Sequence, residues 1–152
     1  MDSLDMALDK AKECENYFTS GGVDDDVIRK SEEILGIKFS KMQIKYYKKC
    51  EYLSFYGNEF KGLNPDDVNG ETATNSISCA LQERKKNLPK EWLPFYDYGF
   101  DGYMACVDFT DISNDGEPSV ILTYYDGEKY IKTEKLADNI GDFILNVING
   151  KL

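Results

Sequence analysis

The side chains available for chemistry are carboxylates, tyrosines and four cysteines, because the sequence contains no histidine. That removes Ser-His-Asp and Cys-His nucleophile pairs, histidine-based zinc sites and the usual neutral-pH proton shuttle. The glycines form neither G-x-x-x-x-G-K-[ST] nor G-x-G-x-x-G, so no familiar phosphate cradle is encoded. Asp111-Ile112-Ser113-Asn114-Asp115-Gly116 imitates the start of a calcium loop, with oxygen side chains at its first, third and fifth positions and Gly at the sixth. The twelfth position is Leu122, where a bidentate Glu must close the coordination sphere, and the flanks read as strands. The segment is expected to be a polar loop made of the residues turns prefer. An acid/base pair could be drawn from Asp97, Asp101, Asp108 or Asp126. Among 28 acidic residues such a pair carries no signal until a fold sets two of them across a cleft. No catalytic residue, metal site or cofactor is therefore expected, and an enzyme is the least favoured class.

Charge points the same way. Lys and Arg number 18 against 28 Asp and Glu, a formal net charge of −10. A nucleic-acid binder needs cations to displace the counterions of phosphates, whereas this field repels a polyanion and attracts a basic macromolecule. No stretch approaches the roughly 18–20 apolar residues that span a bilayer, and Met1-Asp2-Ser3-Leu4-Asp5 lacks the basic start of a secretory signal. A cytoplasmic chain is expected. Its cysteines, Cys14, Cys50, Cys79 and Cys106, show no C-x-x-C spacing and are expected as free thiols serving as small hydrophobes.

The 152 residues suit one domain, and 11 Tyr with 8 Phe supply bulky core material. Leu4, Ala7, Leu8, Ala11, Cys14 and Phe18 recur at helical spacing, predicting a helix over 1–18 that ends at Gly21-Gly22. Asp24 offers the N-cap of a second helix, with Val27, Ile28, Ile34 and Leu35 as its apolar stripe and Gly36 as its stop. Ser40 can cap a third, in which Met42, Tyr46, Tyr47 and Cys50 share a face. From Leu53 the period changes, and Gly57-Asn58 reads as the turn of a hairpin running from Leu53 to Leu63. A helix is predicted over 72–87, with Ile77, Ala80 and Leu81 inward, up to Pro89. Strands follow at Leu93–Tyr98, Tyr103–Phe109 and Ser119–Tyr125, then an Asp126-Gly127 turn into Lys129–Lys132 and a last helix over Leu136–Ile148. Tight turns force antiparallel neighbours, so the pattern predicts an α+β domain with helices against a sheet. The tyrosines at strand ends, Tyr96 to Tyr103 and Tyr124-Tyr125, fit either a core or an interface, since both satisfy an amphipathic ring.

Several segments resemble the SUKH superfamily, which includes the yeast cell-wall assembly regulators and many bacterial immunity proteins. Glu32, Leu35 and Gly36 are similar to its early Glu-x-x-Leu-Gly signature and are followed by Tyr46-Tyr47, although the family's Leu-Pro is absent and its Asn-Gly is inverted as Gly57-Asn58. Trp92-Leu93-Pro94-Phe95, Gly99-Phe100-Asp101-Gly102, Cys106-Val107-Asp108 and Gly116-Glu117-Pro118-Ser119-Val120 follow in family order, and Ala137-Asp138 with Phe143-Ile144 resembles the last helix. The resemblance spans about residues 24–149, with the first helix expected to pack on that single domain. It implies an α+β fold with a mixed, mainly antiparallel sheet surrounded by helices, and no enzymatic activity. It also implies an immunity protein that neutralises the C-terminal toxic domain of a cognate polymorphic toxin, often a nuclease; from the charge that domain is expected to be basic, and the chain is expected to be a monomer or weak dimer. The alternative it implies is a regulatory scaffold like the yeast relatives. The family's binding positions vary too much to carry over. Turn position and side-chain type instead nominate Asp97, Asp101, Asp111, Asp115, Glu117 and Asp126 for charge, and Tyr98, Tyr103 and Tyr125 as anchors for that toxin.

Overall fold

The computed structural model describes residues 2–70, 73–99 and 102–150. In chain order the elements are α1 (Ser3–Ala11), β1 (Phe18–Thr19), α2 (Asp25–Leu35), α3 (Lys41–Lys49), β2 (Leu53–Phe55) and β3 (Asn58–Phe60). They continue with α4 (Ser76–Arg84), β4 (Trp92–Asp97), β5 (Tyr103–Ile112), β6 (Pro118–Tyr125), β7 (Tyr130–Ala137) and α5 (Ile140–Ile148). The strands form one sheet in the order β1 to β7, every named neighbour antiparallel. Among the described residues, parallel pairing is confined to an isolated bridge between Gly62 and Asn75. The α+β expectation holds, with a more uniformly antiparallel sheet than a mixed one.

Local chemistry sets the helix boundaries. Asp24 accepts the Val27 amide at 3.1 Å to start α2, and Gly36 ends it in the left-handed conformation, φ 68°. Ser40 and Gln43 form a reciprocal capping box on α3. Asn75 and Asn139 cap α4 and α5, which shortens the helices predicted over 72–87 and 136–148. The residues from Leu136 to Ala137 belong to β7 instead.

The N-terminal prediction needs the largest correction. Helix α1 stops at Ala11, the chain turns through Asn16 at φ 60°, and Phe18 joins β1 opposite Ser54 with 57% of its surface exposed. The apolar spacing up to Ala11 is real because that face packs on α5. There the backbones come so close that a Cβ on Gly141 would lie 2.4 Å from the Leu4 nitrogen. Beyond Ala11 the run of Lys12, Glu13, Glu15 and Asn16 offers no buried face to extend it. Ile34 likewise leaves its predicted stripe and is exposed, with Ser31 buried in the helix instead. Both hairpin turns shift by one residue. Tyr56 (φ 50°) and Gly57 (φ 78°) make the first, and Gly127 (φ 100°) with Glu128 the second, since Phe55 pairs with Asn58 and Tyr125 with Tyr130.

The main core lies between one face of the sheet and helices α1, α2, α3 and α5. Tyr46, Tyr47, Phe55, Phe60, Phe95 and Phe143 are fully buried there, each worth about 1.5–3 kcal/mol of burial. The Tyr46 hydroxyl donates to the carbonyls of Phe60 and Lys61 at 3.2 and 3.3 Å, so the aromatic core also anchors the end of β3. On the other face a smaller cluster of Leu88, Met104, Cys106 and Ile121 is backed by Cys79 of α4, Trp92 and Tyr130. Helix α4 serves both clusters, sending Ile77 and Ala80 to the first.

Candidate functional site

Antiparallel order divides the nominated residues between two ends of the sheet. The β4–β5 and β6–β7 connections share one end, and the β5–β6 connection lies at the other. With ten residues in β5, the ends stand roughly 30 Å apart at about 3.3 Å per residue. Asp97, Tyr98, Tyr103, Tyr125 and Asp126 gather at the first end, whereas Asp111, Asp115 and Glu117 sit at the second. Asp101 lies outside the described residues. The eight described residues thus fall into two separate groups, one at each end of the sheet.

At the second end the carboxylates are occupied by the fold. Glu117 is buried, accepting the Ser40 hydroxyl on one oxygen and the Met42 amide at 3.3 Å on the other, and so caps α3. It is not a surface charge, and its nomination as a contact residue falls. Asp115 accepts the Glu117 amide at 2.9 Å and the Asn139 side-chain amide at 2.7 Å. Asp111 takes the Ser119 hydroxyl at 2.7 Å and faces Lys132 at 3.6 Å, and chiefly that hydroxyl holds its carboxyl below the usual carboxylate range. With the Ser113 carbonyl accepting the Gly116 amide at 2.9 Å, the calcium-like segment is the last two residues of β5 followed by a hydrogen-bonded polar turn. Among the described residues no group of three or more cysteines and carboxylates is placed to hold a metal ion.

The first end presents rings on both faces of the sheet. Tyr103 and Tyr124 are cross-strand partners with ring centroids 4.8 Å apart. Because side chains alternate along β6, Tyr125 emerges on the opposite face, where its ring lies 5.0 Å from that of Tyr130. Tyr98 is half-buried with its ring 5.0 Å from Tyr96, and its enclosed hydroxyl has no hydrogen-bond partner among the described residues. Burial pushes its pKa up. Asp126 accepts the amides of Lys129 and Glu128 at 2.9 and 2.8 Å, which hold its carboxyl below the usual range and tie the turn.

Tyr125 and Tyr130 line a cleft of 460 Å³ between α4 and the two turns. Its floor contains Lys61, only 3% exposed, whose ammonium donates to Asp97 at 2.7 Å and to the Ala73 carbonyl. Tyr130 donates its hydroxyl to Glu83, and burial together with that carboxylate raises the tyrosine's pKa. Lys86 reaches back over Tyr125, 5.8 Å from the ring centroid, and lies 3.6 Å from Glu83. Cys79 lines the same cleft, its thiol pushed up to about 11 by burial, which leaves little thiolate for nucleophilic use at neutral pH. All four cysteines are free, with Cys50 and Cys106 buried and Cys14 and Cys79 half-buried.

Lys61, Glu83, Lys86 and Tyr130 were not singled out from sequence. The register of the second hairpin was the available signal, because it sets Tyr130 opposite Tyr125. Nothing local marks Lys61 or α4 as neighbours of that pair. No helix among the described residues is long and apolar enough to cross a membrane.

No curated protein matches the chain. Among solved structures, a protein from Pseudomonas syringae pv. tomato superposes with a TM-score of 0.68 at 15% identity, over 95% of this chain and 97% of that one. At that identity the likeness establishes the fold alone. The sequence model of the SMI1 / KNR4 family (SUKH-1) matches residues 22–146, and the chain belongs to that family.

Proposed function

We propose that the protein is a cytoplasmic immunity protein, without enzymatic activity of its own, that binds and neutralises a cognate toxin domain through the β4–β5 and β6–β7 end of its sheet. The observation that carries this reading is the convergence of exposed Tyr103 and half-buried Tyr98 and Tyr125 with the exposed carboxylates of Asp97 and Asp126 at one sheet end of a chain with net charge −10. Rigid rings with polar tips give contact area at small entropic cost, and an acidic field draws in a basic partner. A nuclease is the target class that fits best, since its phosphate groove is basic. Membership of a family that contains immunity proteins supports the same reading.

Co-purification with the product of the adjacent gene, followed by titration calorimetry, tests it. Tyr103→Ala and Tyr125→Ala are each expected to weaken binding by at least about tenfold, the effect of losing a central aromatic anchor. Asp111→Asn, at the far end, is expected to leave affinity unchanged. Equal loss from the Asp111 variant would move the surface, and a neighbour from which the protein rescues no cells would defeat the toxin reading in favour of a regulatory scaffold.

A further inference from the structure

We propose that the cleft between α4 and the two turns is a receptor for one arginine side chain of a basic protein segment, and that Lys86 occupies it as an internal stand-in. This deepens the reading above by naming what the partner inserts. The cleft already contains a cation in the position an incoming one would take: Lys86 lies over the Tyr125 ring and against Glu83. That lysine is weakly held, being 55% exposed and only three residues from Glu83 along the same chain. Its departure costs little and uncovers three acceptors of positive charge: the Tyr125 face, Glu83 and the exposed half of Asp97.

The charges of the cleft select the sign of the ligand. Lys61 is buried and donates to Asp97 and the Ala73 carbonyl, so its charge is largely neutralised in place. Once Lys86 swings out, the accessible charge is negative. Glu83 is only 18% exposed and is fixed by the Tyr130 hydroxyl, and Tyr125 and Tyr130 brace each other 39° from parallel, so the receptor is preorganised. Geometry favours arginine over lysine. A planar guanidinium can stack on Tyr125 while donating from its edge to a carboxylate, whereas an ammonium offers a point charge and no plane.

The test needs no partner. The whole protein is titrated with N-acetylarginine amide, and with the neutral isostere N-acetylcitrulline amide, while the ring signals of Tyr125 and Tyr130 are followed by NMR. Saturable shifts of those rings with arginine and not citrulline are expected. Lys86→Ala, which removes the competitor, is expected to tighten arginine binding about three- to tenfold, while Tyr125→Leu and Glu83→Gln weaken it by about tenfold. Equal response to citrulline, shifts confined to other surfaces, or weaker binding by the Lys86 variant would overturn the receptor. A correct arginine response in a protein that protects against no toxin would overturn the immunity reading and leave the receptor standing.

Discussion

Glu117 offers the sharpest separation of a structural carboxylate from a contact carboxylate. Its two oxygens take the Ser40 hydroxyl and the Met42 amide, the latter an N–H at the start of α3 with no partner inside the helix. Glu117→Ala strands the buried Met42 amide, leaves the half-buried Ser40 hydroxyl without this acceptor, and removes a negative charge from a helix N-terminus. Hydrogen bonds to a charged group are worth about 1.5–3 kcal/mol each, and the dipole contributes about 0.3–1 more. Their sum is offset by partial rehydration of the opened site, so a loss of about 3 kcal/mol is expected. Against a total of roughly 5–15 kcal/mol that is a large fraction, and it lowers Tm by roughly 6–12 °C in a domain of this size. Urea unfolding followed through Trp92 fluorescence and far-ultraviolet dichroism measures it. Glu117→Gln retains one acceptor and is expected to lose about 1–2 kcal/mol. An alanine variant with unchanged unfolding midpoint but weakened partner binding would refute the capping role and restore Glu117 to the surface.

Two further outcomes follow from other ion pairs. Asp97→Ala leaves the buried Lys61 ammonium with, among the described residues, the Ala73 carbonyl alone and is expected to cost about 3 kcal/mol. Lys61→Met, which leaves a half-exposed carboxylate free to rehydrate, is expected to cost under about 1 kcal/mol, and urea midpoints of the two variants check the order. Lys45 and Lys49 hold Asp5 below its ordinary value of 3.8, at about 2. Its folded pKa is depressed, so its contribution is present above pH 3.8 and fades as pH falls towards 2. Acid titration of Asp5→Asn is expected to show lower stability than the parent at pH 6 and a difference that has mostly closed by pH 2.

Much of the fold was legible because its signals are local. Asp24, Gly36 and Ser40 bound their helices by side-chain chemistry that operates within four residues, and Gly57 and Gly127 mark turns wherever the chain must take positive φ. What failed was whatever depended on a distant neighbour. Cys14 and Phe18 keep helical spacing, yet α1 ends at Ala11, the last of its buried residues. Glu117 looks like any loop glutamate until α3, more than seventy residues earlier, brings Ser40 and Met42 against it. The tyrosines left open between core and interface divide in the same way. Tyr96 is buried beside Phe60 and Phe143, while Tyr103, seven residues on, stays 38% exposed at the sheet end.

Three carboxylates at the candidate surface are engaged before any partner arrives: Asp97 by Lys61, Asp126 by two turn amides, and Glu83 by Tyr130 and Lys86. Groups held this way lose little freedom on binding, so they orient a partner at small entropic cost. They also contribute less raw attraction than free carboxylates, because part of their charge is neutralised on the spot. The long-range pull must then come from the chain's diffuse charge of −10, which salt screens within about 8–10 Å, while residence depends on close contact with the rings. On the proposed function, association and dissociation are therefore governed by different residues: the acidic field would set how often a basic partner arrives, and Tyr103, Tyr125 and the cleft beside α4 how long it stays.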